Sequence, residues 1–244
     1  MDSGYYAAMT GLLARTQALD TAASNLANTQ TPGYRAEREY FRSVMLDRAP
    51  ASQLGQAVNR FGLLGGDRLN LAEGPIEPTG NPLDLAIEGQ GFFQIQTQNG
   101  ARFTRDGSFH RSQGGMLVTA EGEPVLSSAG KTIQIPPGEV SVGANGVVSV
   151  AGGAVETVGI FTFPATAQLT PEGTNRYVAP PNTMPQVAKD AAIRQGALEG
   201  ANQDAIQGTL DLVVMQRQAE MMQKALTVFH TEFNKFASED LARV

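Results

Sequence analysis

Near the C-terminus, Leu212, Met215, Ala219, Met222, Leu226, Phe229, Phe233 and Phe236 follow one another in steps of 3, 4, 3, 4, 3, 4 and 3. That rhythm puts one apolar line along an α-helix and fits no strand. It predicts a helix from about Asp204 to about Leu241. A weaker copy stands at the N-terminus. Tyr5, Met9, Leu12, Thr16, Leu19, Ala23 and Leu26 step 4, 3, 4, 3, 4 and 3, with Thr16 and Ala23 as imperfect members. The "TPGY" at 31–34 ends this helix: the residue before Pro32 disfavours helix, and Gly33 can take a left-handed turn. Each seam reads equally as the core face of an amphipathic helix or as a coiled-coil stripe.

The rest of the first helix is unusual. Between Tyr5 and Tyr34 the charges are Arg15 and Asp20 alone, and the back carries Gln17, Thr21, Ser24, Asn25 and Asn28. Small uncharged side chains let a second neighbour approach without stripping water from a charge. One seam buries too little to order a long terminal helix against its conformational entropy. Both ends are therefore expected to fray in the free monomer and to order when other copies cover them.

The middle has a different punctuation. Glycines recur at 100, 107, 115, 122, 130, 138, 146 and 153, with short β-prone runs such as "KTIQI" and "GVVSV" between them. This predicts short antiparallel strands joined by tight turns. "NPLDLAIEGQGFFQIQT" at 81–97 reads as two strands around the Gly89–Gly91 turn. The expected layout is a helix within 1–34, a linker or extended segment at 35–80, a β-rich domain at 81–180, a linker at 181–203 and a helix within 204–244. The fold class is α+β, with the long terminal helices as partners for each other.

Little in the chain suggests chemistry. There is no cysteine; His110, four residues from Asp106 in a predicted strand beside a turn, reads as a surface group, and His230 has no second ligand at i±4. Asp84 with Glu88, or Glu121 with Glu123, are the nearest to an acid/base pair, but turn-rich β sequence commonly holds solvated carboxylates. The glycine-rich stretches lack a following Lys-Ser/Thr, so no phosphate loop is read. No catalytic, cofactor-binding or metal site is expected. A net charge of −6 with scattered Lys and Arg argues against a nucleic-acid partner. No apolar run is long enough for a membrane span, and the N-terminus lacks the pattern of a cleaved signal peptide.

Three motifs together resemble one family. "ALDTAASNLANTQTPGYRA" at 18–36, "GNPLDLAIEGQGFFQIQT" with "RFTRDGSF" at 102–109, and "QGALEGANQDAI" at 195–206 leading into "VVMQRQAEMMQKAL" are similar to segments of the flagellar rod and hook proteins. The chain departs from the pattern at Ala201 and Gln203, where the family usually has Ser and Val. Within the family, the length and modest β domain look most like the proximal rod members, with the distal rod members next.

The resemblance implies a structural subunit of the bacterial basal-body rod, its terminal helices paired as an inner coiled-coil domain with the β domain outside. It implies as partners other copies of the chain, neighbouring rod proteins and the flagellar type III export apparatus, and a periplasmic place reached without signal cleavage. The residues expected to pack subunits are Met9, Leu12, Leu19, Asn25, Leu26, Asn28, Leu212, Met215, Met222, Leu226, Phe229 and Phe233. A β-rich extracellular binding module trimerised by helices, and a hydrolase using Asp84 and Glu88, are the competing readings.

Overall fold

A computed structural model describes residues 2–42, 63–164, 167–181 and 183–241. The described residues form two compact units. The first contains helix α1 (Asp2–Ala27), strands β1 (Glu37–Arg42) and β2 (Leu63–Leu69, up to Arg68), which pair, and helix α2 (Ala205–Leu241). The second spans residues 28–36 and 69–204 and is built of short strands.

The α2 boundaries follow from the seam, and Asp204, a residue type that caps helix N-termini, immediately precedes it. Among the described residues α1 and α2 are the only α-helices, and they touch. They do not form the expected long coiled coil. That packing needs large side chains at the 3–4 positions of both helices, each inserted between four residues of the partner. Among the described side chains of α1 the buried positions are Ala14, Ala18 and Asn25, with Gly11 and Ala22 half-buried on the same side. This face is rotated roughly a third of a turn from the expected seam. Met9 is 46% exposed, Thr16 and Ala23 are exposed, and Leu12, Leu19 and Leu26 lie half-buried on the flank. The larger residues mark one line along α1, whereas the side it buries carries small ones, which offer no such knobs. On α2, Ala219 and Leu226 are buried and Leu212, Met215 and Met222 half-buried. The side chains of Phe229, Phe233 and Phe236 lie outside the described residues.

The β-rich unit is organised by β5 (Phe92–Thr97), which makes a tight hairpin with β6 (Gly100–Thr104) in the register Phe93↔Thr104 to Thr97↔Gly100. They sit at the centre of a six-stranded sheet. Beyond β6 lie β14 (Arg176–Val178) and then β13 (Thr170–Glu172). Beyond β5 lie β12 (Ile160–Thr162) and then β15 (Gln186–Val187). Alternation along β5 sends its side chains to two cores. Phe93 and Ile95 join Leu85, Ile87, Phe109, Val125, Ile133 and Val148, while Phe92 joins Phe103, Phe161 and Tyr177. Both faces of the strand are covered, which is why "GFFQI" carries adjacent phenylalanines. The two cores are locked by edge-to-face ring pairs, Phe93 on Phe109 with centroids 5.1 Å apart and Phe103 on Phe163 at 4.7 Å.

A three-stranded sheet holds β10 (Val147–Val150) between β9 (Val140–Val142) and β11 (Gly153–Thr157). Three pairs complete the unit: β7 (His110–Arg111) with β8 (Leu117–Val118), β4 (Leu85–Glu88) with β16 (Ala192–Gln195), and β3 (Ile76–Pro78) with β17 (Ala197–Glu199). Residues 181–203, a connector by composition, thus carry strands that return to pair with β12, β4 and β3.

Candidate functional site

The first two motifs send Arg35 and Arg105 to a buried carboxylate of the third, Glu199 at the end of β17, across 164 and 94 residues of chain. One oxygen of Glu199 accepts from the Arg35 guanidinium at 2.6 Å and from the Gly74 backbone N–H at 2.8 Å. The other accepts from the Arg105 guanidinium at 2.9 Å. Arg35, Arg105 and Glu199 are each no more than 2% exposed. Arg105 also donates to the carbonyls of Ile87 (3.2 Å) and Gly89 (2.6 Å) and lies over the Phe92 ring. Burial pulls the Arg105 guanidinium below its ordinary value; Glu199 opposes the shift and Arg35 adds to it. Two cations sharing one buried carboxylate hold only while every partner is in place.

Around this node the segment Gly33–Ala36 lies outside any strand and is held by backbone and side-chain bonds to distant residues. Gly33 N–H donates to the Glu199 carbonyl at 2.7 Å, Arg35 N–H to the Tyr177 hydroxyl at 3.0 Å, and Ala36 N–H to Asn202 Oδ1 at 2.7 Å. Asn202 N–H returns a bond to the Tyr34 carbonyl at 3.2 Å, and Tyr34, Ala36 and Ala201 form a small apolar cluster. Gly33 has φ of +69°, and a Cβ there would stand 2.2 Å from the backbone nitrogen of Asp106. The glycine of the "TPGY" stop is thus needed for closeness as well as for turning.

Among the expected packing residues, Asn25 and Asn28 have local roles. Asn25 binds both backbone groups of Glu37, accepting from its N–H at 2.9 Å and donating to its carbonyl at 2.8 Å. Asn28 Oδ1 accepts from the Thr31 hydroxyl at 3.3 Å in the turn after α1.

Three of the four acids considered for chemistry are tied into hydrogen bonds or ion pairs. Asp84 accepts from the Thr79 hydroxyl (2.6 Å) and the Asn81 amide (2.8 Å) in a turn, and Glu88 pairs with Arg194 at 2.6 Å. Glu123 pairs with Arg176 at 2.6 Å, and Glu121 is exposed. His110 is exposed, and the His230 side chain lies outside the described residues. Among the described residues no cluster of three His, Cys, Asp or Glu could hold a metal.

Similarity to known proteins agrees with this anatomy. Residues 6–35, ending on Arg35, match the family "Flagella basal body rod protein", and residues 86–150, containing Arg105, match "Flagellar hook protein FlgE/F/G D1 domain". The chain is 34% identical to the flagellar basal-body rod protein FlgF of Caulobacter vibrioides, with all of both chains covered. It belongs to the flagellar basal-body rod protein family. Other relatives in this rod family include FlgF of Mesorhizobium japonicum, 33% identical with 90% of each chain covered. FlgG of Bacillus subtilis is 29% identical over 91% of this chain and 93% of its own. The rod protein described here is FlgF-like, with FlgG as the next likeness, and it is a structural part of the flagellar basal body.

Reasoning from sequence missed Arg35, Arg105 and Glu199 as a set. Their signal was present, since each sits inside a motif that carries the resemblance, but spacing alone does not bring together residues so far apart in the chain. It also missed a second apolar stripe on α2. Ile206, Leu210, Val213, Val214, Met221 and Val228 are 43–75% exposed. At 3.6 residues per turn they gather opposite the buried Ala219–Leu226 side.

Proposed function

We propose that this chain is an axial building block of the rod, joined to copies of itself and to neighbouring rod proteins through the exposed faces of its terminal helices. It reaches the periplasm through the flagellar type III export route without signal cleavage, and it transmits torque mechanically rather than by catalysis. The observation that carries this reading is the exposed stripe of α2. Six large apolar residues on one side of a helix leave a surface that water solvates poorly and that a second protein surface covers well. On α1, Met9 and the 70% exposed Leu13 add to the apolar surface open to neighbours. Leu12, Leu19 and Leu26 of α1 and Leu212, Met215, Met222 and Leu226 of α2 support these faces from within or from the flank, and Phe229 and Phe233 are assigned to the same role from sequence.

The test is Leu210→Asp. Leu210 is 56% exposed, so a charge there is solvated in the free chain and desolvated in an assembly. Cells carrying the variant should lose filaments and motility, while the purified chain keeps its wild-type circular dichroism. Motile cells with normal basal bodies would refute the reading. Within the rod, the likeness to FlgF supports placement at the proximal end, and the position of a labelled subunit in isolated basal bodies checks it against the distal alternative.

A further inference from the structure

The chain passes between the β-rich unit and the helical unit at four places, after residues 27, 36, 68 and 204. Three of these crossings end at one side chain inside the β-rich unit. Asn202 Oδ1 accepts from Ala36 N–H at 2.7 Å, and Asn202 Nδ2 donates to the carbonyls of Asn70 at 2.7 Å and Ala72 at 2.8 Å. Asn70 N–H closes the ring by donating to the Ala36 carbonyl at 2.8 Å, and Asn70 Oδ1 accepts from Ala72 N–H at 3.2 Å. Glu199, three residues before Asn202, fixes the same strands again through Gly33, Arg35 and Gly74. A carboxamide is suited to this place because it carries two N–H donors and a separate acceptor oxygen, so it can satisfy three backbone groups of both kinds.

We infer that Asn202, seconded by Glu199, is a collar that gathers the crossing strands and delivers force on any of them to a single rigid point of the β-rich unit. Without it, residues 33–36 and 69–74 would each be tethered by covalent continuity and scattered contacts, and a pull on one would be lost in loosening it from its neighbours. The mechanical half of the inference rests on the proposed rod function; the structural half does not.

Hydrogen exchange of the purified full-length chain, followed by mass spectrometry, tests the structural half. In Asn202→Ala, amides at 34–36 and 70–72 should exchange about tenfold faster, while the β5–β6 ladder keeps its protection, showing that the unit is still folded. Asn202→Asp keeps the acceptor for Ala36 N–H but sets a carboxylate against two carbonyls, so 70–72 should loosen more than Ala36. Unchanged exchange at these amides in both variants would overturn the collar. The mechanical half is read in cells. Asn202→Ala cells should build filaments yet slow more steeply than wild type as the medium is made viscous. Wild-type swimming at every viscosity, or failure to build filaments at all, would overturn it. Failure of the rod reading itself shows elsewhere, in motile Leu210→Asp cells, and leaves the exchange result standing.

Discussion

Asn25 and Glu37 are joined by two hydrogen bonds, side-chain amide to backbone N–H and carbonyl, of 2.9 and 2.8 Å. The carboxamide does for the first residue of β1 what a neighbouring strand does in a sheet. Asn25 is 8% exposed, so neither bond is easily replaced by water. Asn25→Ala should destabilise the helical unit by about 1–3 kcal/mol, read as a lower urea midpoint of the helical signal. Asn25→Asp, which keeps the acceptor but sets a buried carboxylate against the Glu37 carbonyl, should lower the midpoint at least as much. A null effect of Asn25→Ala would mean that β1 is held by other contacts.

Glu199→Gln should be more damaging. It leaves two buried guanidiniums without the carboxylate they share, a change of the kind that costs roughly 3–5 kcal/mol. Urea unfolding followed by tyrosine fluorescence should show the loss, since Tyr177 lies beside the node. A midpoint within error of wild type would show that the two arginines find other acceptors.

Gly33 and Gly80 separate two penalties. Both have positive φ, +69° and +77°, but a Cβ on Gly33 collides with the backbone at Arg105 and Asp106, whereas one on Gly80 meets nothing within 4 Å. Gly80→Ala should cost about 1–2 kcal/mol, the conformational penalty alone. Gly33→Ala should cost distinctly more, because backbone rather than a flexible side chain must yield. Equal melting temperatures for the two variants would contradict the close approach.

Asp106 predicts a pH dependence. Burial raises its carboxyl above the ordinary value of 3.8, against hydrogen bonds from Ser108 that pull it down. A carboxyl raised by folding favours the protonated native state. Its contribution is therefore complete below 3.8 and is lost as the pH rises through the folded-state value. Asp106→Asn removes this titration, so the stability of wild type relative to the variant should decline as the pH rises from 3.8. Urea midpoints of both chains over that interval check the sign, and a gap that widens in favour of wild type would reverse the assignment.

The sequence by itself determined the elements whose cause is local. The 3–4 rhythm located α2 from Ala205 to Leu241, because a helix brings near neighbours in sequence onto one face. Glycine spacing marked the short strands and turns of the middle, because tight turns depend on the residue that occupies them. The motif likeness identified the family. Tertiary structure decided what each face meets. It turned the buried side of α1 onto Ala14 and Ala18, left Leu210 and its companions exposed on α2, and ruled out the long coiled coil. It also decided the node, for nothing in the segments around Arg35, Arg105 and Glu199 marks these charges as buried. Charges become tolerable inside a protein only when their partners arrive from elsewhere in the chain, and no local pattern records that arrival.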